Sequence, residues 1–411
     1  MSTVLTVILT MAGLLAPPDS LCPAEAYGDI APKYRPLAER MACNWYEVPT
    51  RGNTFEILTS GMRKYDLLRE DIRTARDRIR LEYYRFSDDS LCFVLREDLA
   101  DRVREGVSVR LIYDNLINMG VPRRFYKEMR HAGLDVRPFT PASRPLRALG
   151  HINNRDHRKI AVFDGSVGYT GGMNLSEEGF SLWTDTHLRM QGPIVTALEG
   201  LFEETWTATG GDPDPALTWA EADSAGTVLQ LVASHPFPKK RHRYYPLMDS
   251  YVSALDSTDS YFYAKSPYFC PPRPVLKAVR NAAARGKDIR LILPLNSDVW
   301  FMNAANRSYF RRCIRSGVRI YLDTGIFDHS KVFVTDDYFS AIGTCNLDNR
   351  SLIINYEDNV YFYDRGTAAF LKEQFSRQME HCTEVTYEDI RHWSAFRKMG
   401  NALIRIFVLD L

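Results

Sequence analysis

Two short stretches of the sequence repeat one polar pattern: a histidine, a lysine two positions later and an aspartate five positions after the lysine. The residues are His157, Lys159 and Asp164 in the first copy and His329, Lys331 and Asp336 in the second. Each copy continues with an asparagine and an acid: Asn174 and Asp185 in the first copy, and Asn346 and Glu357 in the second. In the second copy Thr344 stands two positions before the asparagine. A constant offset of 172 positions relates the two copies. A lone histidine is more often structural, but two complete copies indicate a functional site.

The residue types in this pattern suit chemistry at phosphorus. Residues two apart on a strand point to the same face, so each histidine projects beside its lysine. An ammonium and an amide can hold phosphoryl oxygens while an imidazole attacks phosphorus. A carboxylate that accepts the Nδ1 proton fixes the tautomer and leaves Nε2 as nucleophile or base. We expect Asp185 and Glu357 to serve in this way.

The elements around each copy predict α/β architecture. A β-rich run, a helical stretch and a second β-run precede both motifs. They span 79–86, 95–104 and 107–113 in the first half, and 261–269, 275–285 and 289–293 in the second. Gly106 and Gly286 stand where each helix should end. Alternating patterns of this kind are typical of α/β layers with largely parallel sheets.

The duplicated motif resembles that of the phospholipase D superfamily. The flanks are similar to bacterial cardiolipin synthases, on segments 155–159, 171–175, 183–187 and 346–351. The resemblance covers about residues 53 to 381. It implies a phospholipase D fold, with two pseudo-symmetric α/β halves, central sheets and an active site at their interface.

The same resemblance implies a two-step phosphatidyl transfer through a covalent phosphohistidine. One phosphatidylglycerol would donate the phosphatidyl group, another would accept it, and glycerol would leave. His157 is assigned as nucleophile and His329 as general acid/base, although the near-symmetry leaves the reverse assignment open. The remaining residues have supporting roles. Lys159, Lys331, Asn174 and Asn346 would neutralise the phosphoryl oxygens, while Asp164 and Asp336 lie in turns and would make structural hydrogen bonds.

The expected partners are phosphatidylglycerol, other anionic phospholipids and a membrane surface, and the oligomeric state is open. No metal or other cofactor is required. The alternatives are a phospholipase D-type phosphodiesterase that uses water, acting on lipid or nucleic acid, and an inactive binding module. Two complete motifs argue against the inactive module. With 52 basic and 51 acidic residues the net charge is +1, which argues against a dedicated nucleic-acid binder.

The sequence predicts five segments. These are an N-terminal arm (1–52), a first phospholipase D-like half (53–205), a linker (206–226), a second half (227–385) and a C-terminal amphipathic helix (386–411). The apolar run Val4–Ala16 is shorter than the ~20 residues of a membrane span. A signal, a membrane anchor and a plain arm remain open for it, so we expect a bacterial cell-membrane location, peripheral or through this short anchor.

Three further features could contact a lipid surface. Residues 121–160 contain ten Lys/Arg and three acids, which fits an anionic headgroup, a nucleic-acid backbone or a solvated face. The triplet 300–302 could admit acyl chains or cover the core. Phe396, Met399 and Leu403 recur at helical spacing and could bind lipid or pack against the body.

Overall fold

The structure is a computed structural model that describes residues 23–140, 154–214, 217, 220–234 and 244–408. The apolar run 4–16 lies outside the described residues. Two lists give the elements in chain order. The described helices are α1 (Pro23–Asp29), α2 (Arg35–Met41), α3 (Gly61–Thr74), α4 (Ser90–Arg104), α5 (Arg123–His131), α6 (Pro193–Ala208), α7 (Pro246–Ser257), α8 (Arg273–Ala284), α9 (Met302–Ile314), α10 (Arg365–Met379), α11 (Tyr387–His392) and α12 (Ala395–Val408). The described strands are β1 (Thr50–Leu58), β2 (Arg78–Tyr83), β3 (Ser108–Asp114), β4 (Asp135–Phe139), β5 (Lys159–Phe163), β6 (Val167–Gly171), β7 (His187–Gln191), β8 (Thr227–Ser234), β9 (Tyr261–Lys265), β10 (Phe269–Cys270), β11 (Asp288–Pro294), β12 (Arg319–Asp323), β13 (Val332–Thr335), β14 (Phe339–Gly343), β15 (Leu347–Asp348), β16 (Glu357–Tyr363) and β17 (Cys382–Val385).

The strands of the two halves form one continuous sheet. Its order is β17-β12-β11-β9-β13-β14-β16-β8-β1-β7-β6-β5-β2-β3-β4, and β10 pairs separately with β15. The order on one side of the central antiparallel β1–β8 pair mirrors the order on the other. This is the α/β architecture with two related halves that the sequence predicts.

The expectation of largely parallel sheets is wrong. Strands β2, β3 and β4 are parallel, as are β9, β11 and β12, because helices connect them. The motif strands run the other way: β5 pairs antiparallel with β2 and with β6, and β13 pairs antiparallel with β9 and with β14. Short turns join β5 to β6 and β13 to β14, and a short turn can only join antiparallel neighbours.

The predicted elements before each motif are confirmed. Strand β2 covers the first part of the run at 79–86 and ends at Tyr83, the stretch at 95–104 lies in α4, and the stretch at 275–285 lies in α8 except for its last residue. Gly106 and Gly286 follow these two helices with φ of +94° and +82°. This left-handed conformation is nearly free of cost only for glycine, and it ends each helix just before the next strand.

Four apolar clusters form the core of the described residues, and the smallest contains Ile112, Phe139, Phe202 and Trp206. One belongs mainly to the first half, and includes Leu81, Leu111 and Phe163. One belongs mainly to the second half, and includes Leu291 and Phe333. The third draws residues from both halves, among them α6 residues and the strands β8, β13 and β16, so the halves share a core and hold a fixed relation to each other.

The C-terminal helix α12 packs against the core on one side and exposes apolar side chains on the other. Ile404 lies against the core of the second half, whereas Phe396, Met399 and Leu403 are exposed. The proposal that this stripe binds lipid is untested. Within the part of the chain that the structure describes, no helix combines the length and apolar character needed to cross a bilayer.

Candidate active site

The two histidines occupy equivalent positions in the two halves, each shortly before its motif strand. His157 lies just before β5, and His329 lies just before β13. A parallel bridge joins Asp156 to Tyr356, and the related bridge joins Thr184 to Asp328. These bridges attach the chain before each histidine to the chain before the acid of the other copy.

Backbone hydrogen bonds fix the histidines at these bridges. The His157 N–H donates to Tyr356 O at 2.9 Å, and the His329 N–H donates to Thr184 O at 2.8 Å. The charge environment of His157 includes Lys331 and His329 from the other half. The two motif copies therefore meet in one site at the junction of the halves.

Each acid contacts the histidine of the other copy. Glu357 Oε2 lies 2.8 Å from His157 Nδ1, and Asp185 Oδ2 lies 2.8 Å from His329 Nδ1. The acid 28 positions after each histidine therefore belongs to the opposite pair. A carboxylate on Nδ1 holds that proton in place and leaves Nε2 free, so both imidazoles have the same tautomeric arrangement.

The two lysines are buried beside their histidines. Lys159 Nζ donates to His157 O at 2.5 Å and lies 5.1 Å from the centre of the Tyr84 ring. Lys331 Nζ lies 2.9 Å from His329 Nδ1, an electrostatic contact because the Nδ1 proton is directed at Asp185. Burial lowers the pKa of Lys159 to about 7, although the Glu357 charge opposes this change. Burial also lowers the pKa of Lys331. A bound phosphodiester would restore both charges.

Two asparagine side chains offer hydrogen-bonding capacity to a ligand. Asn174 and Asn346 are buried, and their Oδ1 atoms have no hydrogen-bonding partner among the described residues. A buried polar atom without a partner costs free energy unless a ligand or water satisfies it. Both amides follow the end of a motif hairpin, at equivalent positions in the two halves.

The surroundings of the two acids differ. Thr344 Oγ1 donates to Glu357 Oε2 at 2.6 Å, and the Asn355 amide lies 3.4 Å from Glu357 Oε1. The residue corresponding to Thr344 is Gly172, where a Cβ would lie 2.0 Å from Asp185 Oδ1. The first copy therefore needs glycine for close approach, whereas the second has a hydroxyl that shares the charge of Glu357.

The imidazoles respond to this environment. Burial, with added repulsion from Lys159 and Lys331, holds the pKa of His157 well below its usual value. Burial and Lys331 also lower the pKa of His329, but the hydrogen bond to Asp185 opposes the change. Burial therefore favours the neutral form of both histidines, while the carboxylate on each Nδ1 favours the protonated form.

The aspartates of the motif lie apart from the histidines. Asp164 follows β5 and Asp336 follows β13, so each stands at the strand end opposite its histidine. Asp164 accepts the N–H groups of residues 76–78, and Asp336 accepts those of residues 259–261, at 2.8–3.3 Å. Both have a positive φ near +50°. The structure does not bring these two carboxylates to the histidines. Their hydrogen bonds instead hold each turn against the start of the neighbouring strand.

Aromatic rings enclose both imidazoles. The Tyr84 ring meets His157 edge to face at 4.7 Å between centroids, and Trp183 lies 5.3 Å from His329. Phe327 lies 5.9 Å from His329 and packs on Trp183. Sequence reasoning assigned no role to these rings. Trp183 and Phe327 each stand two positions before a motif residue, and Tyr84 follows the strand that pairs with β5. This closeness to the motif is the signal that could have identified the rings.

Comparisons with known proteins agree with this geometry. The family described as "Cardiolipin synthase, PLD-like domain" matches residues 68–206 and 251–379. The chain belongs to this family. It is a phosphatidyltransferase of the phospholipase D superfamily. Each of the two matched segments contains one copy of the motif.

Curated relatives extend the similarity over most of the chain. A cardiolipin synthase of Halalkalibacterium halodurans is 32% identical over 384 residues, which covers 90% of this chain and 74% of the relative. The major cardiolipin synthase of Bacillus subtilis is 31% identical over 366 residues, covering 86% and 74%. Among solved structures, phosphatidylserine synthase from Haemophilus influenzae aligns with a TM-score of 0.63 at 16% identity, over 91% of this chain and 100% of that one. This last likeness concerns the fold.

Proposed function

We propose that the chain is a cardiolipin synthase that transfers a phosphatidyl group from one phosphatidylglycerol to another and releases glycerol. The observation that carries this proposal is the crossed pairing of Glu357 with His157 and of Asp185 with His329, at 2.8 Å each. Two imidazoles with fixed tautomers in one site suit a reaction that needs a nucleophile and an acid/base in turn. The names of the relatives suggest the lipid substrate.

In the first step, His157 Nε2 attacks the phosphorus of phosphatidylglycerol. A P–N bond forms and the P–O bond to glycerol breaks, while His329, protonated, gives its Nε2 proton to the departing oxygen. Glycerol leaves and the phosphatidyl group stays on His157. Glu357 stabilises the positive charge that the ring of His157 then carries.

In the second step, His329 is neutral and acts as a base. It takes the proton of the terminal hydroxyl of a second phosphatidylglycerol, whose oxygen attacks phosphorus. The P–N bond breaks, the diphosphatidyl product forms and His157 returns to its neutral state. His329 ends protonated, ready for the next cycle.

The unequal surroundings of the two acids support this assignment of roles. Thr344 and Asn355 both share the charge of Glu357, whereas Asp185 accepts from the Thr186 N–H at 2.7 Å and Gly172 offers it no hydroxyl. Asp185 therefore holds more charge for the imidazolium of His329, as a general acid requires. A nucleophile must instead be neutral, which fits the strongly lowered pKa of His157.

The buried cations and amides supply the phosphoryl-binding part of the proposal. Lys159 and Lys331 would face the two non-bridging oxygens, and the amide N–H groups of Asn174 and Asn346 would donate to the same group. Asp164 and Asp336 would support the strand ends rather than the reaction. The lipid substrates place the working enzyme at a bacterial membrane surface, with no nucleic acid as partner.

Labelled lipid tests the proposal. Vesicles of phosphatidylglycerol labelled in the terminal glycerol are incubated with the wild-type chain and, as control, with the His157→Ala variant. We expect the wild type to release labelled glycerol and accumulate a diphosphatidyl product, and the variant to do neither. Phosphatidic acid as the main product, or faster cleavage of single-stranded DNA, would replace transfer with hydrolysis.

A further inference from the structure

Six exposed apolar side chains lie around the two histidines, five of them on loops and one, Leu182, at the end of a short π-helical turn. We call them the apolar rim: Leu116, Ile117, Met119, Leu182, Trp300 and Ile326. Trp300 is 83% exposed, Met119 73% and Ile326 62%. Single exposed apolar residues are ordinary on protein surfaces, but a group that surrounds one site requires a reason.

The first loop of the rim is fixed to the ring that packs on His157. Residues 115–121 follow β3 and include Leu116, Ile117 and Met119. Within this loop, the Asn118 amide donates to Tyr84 O at 2.8 Å, and Tyr84 meets His157 edge to face. This part of the rim therefore borders the His157 side of the site.

Two further members stand next to the rings around His329. Leu182 precedes Trp183, and Ile326 precedes Phe327. Trp183 and Phe327 pack on each other at 5.1 Å and both lie against His329. The chain at Thr184 also donates to Phe327 O at 3.0 Å, which ties the two segments together.

Trp300 belongs to a loop that acts on Lys331. This loop connects β11 to α9, and the Tyr268 hydroxyl donates to its Asp298 at 2.8 Å. Burial lowers the pKa of Lys331, and the Asp298 charge is among those that oppose this change. Trp300 packs on the ring of Phe301, which is half-buried against the core, and Met302 is buried. Phe301 and Met302 thus cover the core, and Trp300 is exposed.

Basic side chains continue the rim on one side. Arg123, Arg124 and Lys127 are exposed on α5, which begins just after the loop that carries Met119. Apolar residues beside Lys and Arg are typical of surfaces that enter the headgroup region of an anionic bilayer. A partner protein would satisfy the apolar area, but it would not explain why that area encircles a site for lipid.

We propose that the apolar rim and these three basic residues bind the surface of an anionic phospholipid bilayer, so that the histidines face the lipid. The proposal rests on the proposed function, because a lipid substrate is what makes a bilayer the occupant. It assigns the membrane contact to the loops around the site. The acyl chains of a bound phospholipid would then stay in the bilayer while its phosphodiester enters the site.

A rim variant tests this surface. Met119→Ser, Trp300→Ser and Ile326→Ser are combined in one chain, and Tyr387→Ser is the matched control. Tyr387 is also an exposed aromatic residue, but it lies away from the rim. It comes shortly after Val385, which pairs with Ile320 near the start of β12, whereas Ile326 follows the other end of that strand. An unchanged thermal midpoint in both variants shows that both fold.

Two readouts separate binding from chemistry. Sedimentation with phosphatidylglycerol vesicles measures binding, and we expect the rim variant to lose about tenfold or more, with the control unchanged. Turnover of short-chain phosphatidylglycerol, below its micelle concentration, should stay within about twofold of wild type. Equal vesicle binding, or an equal loss on short-chain lipid, would overturn the proposal. If the wild type turns over neither lipid, the proposed function fails, while the sedimentation result still decides the rim.

Discussion

Replacing Glu357 by glutamine should slow the reaction at the histidine of the other copy. Glu357→Gln keeps the side-chain size and removes the charge 2.8 Å from His157 Nδ1. The charge centres of a carboxylate and an imidazolium in such a pair lie about 4 Å apart, where the attraction is about 4 kcal/mol at an effective dielectric constant of about 20. His157 gains positive charge on phosphorylation, so losing this attraction should lower kcat about a thousandfold. Turnover of phosphatidylglycerol measures the effect.

Nitrogen-15 NMR of the imidazoles shows which histidine responds. The Glu357→Gln variant should change the signals of His157 and leave those of His329, and Asp185→Asn should do the reverse. Thr344→Val serves as a milder companion: the part of its effect that passes through Glu357 should vanish in the Glu357→Gln background, while the part from the lost Asp358 N–H contact at 2.9 Å should remain. A rate within tenfold of wild type, or a change at His329 instead, would refute the crossed pairing as the source of catalysis.

Three further results follow from the same contacts. Gly172→Ala should abolish turnover because its Cβ would lie 2.0 Å from Asp185 Oδ1, while Gly286→Ala, with open space but a φ of +82°, should only lower the thermal midpoint. Asp164→Ala should cost about 3 kcal/mol in chemical denaturation, since it removes the acceptor of three N–H groups, yet keep the activity per folded molecule. In a pH profile, kcat/KM should fall as the pH rises towards and through about 7, because His329, whose pKa is lowered, and then Lys159 lose their protons, whereas kcat at saturating lipid should fall at higher pH.

The duplicated motif predicted the composition of the site well. A constant offset over six positions, counting Gly171 with Gly343, identified the histidines, lysines, asparagines and acids before any contact was known. The strand and turn around Lys159 followed from local patterns, since a β-rich run before Asp164 and Gly165 has few other conformations. The same offset predicted that the two halves would be related.

The crossed pairing of acids and histidines could not be predicted from spacing. Asp185 stands 28 positions after His157 and Glu357 stands 200 positions after it. Either carboxylate could accept the Nδ1 proton as far as the local pattern shows. The parallel bridges at Asp156 and Thr184 decide between them, and they form only when the two halves meet. The same limit explains the sheet: alternating β and α patterns identify the parallel strands, but they do not reveal that the motif hairpins pair antiparallel with them.

Exposed surface was the least predictable feature. The spacing of Phe396, Met399 and Leu403 fits packing and lipid binding equally, and the structure shows a helix that packs through Ile404 and leaves this stripe exposed. The rim around the histidines has no periodic pattern at all, because its members lie in separate segments that only the folded chain brings to one site.

Trapping the covalent intermediate tests the central claim most directly. The His329→Ala variant is mixed with a phosphodiester whose leaving group is nitrophenolate, which departs without a proton donor. We expect a burst of about one nitrophenolate per site, because formation of the intermediate is spared while its discharge lacks a base, and mass spectrometry should find the phosphoryl group on His157. His157→Ala should give no burst. A label on His329 in the His157→Ala variant, or no covalent adduct in either variant, would contradict the account.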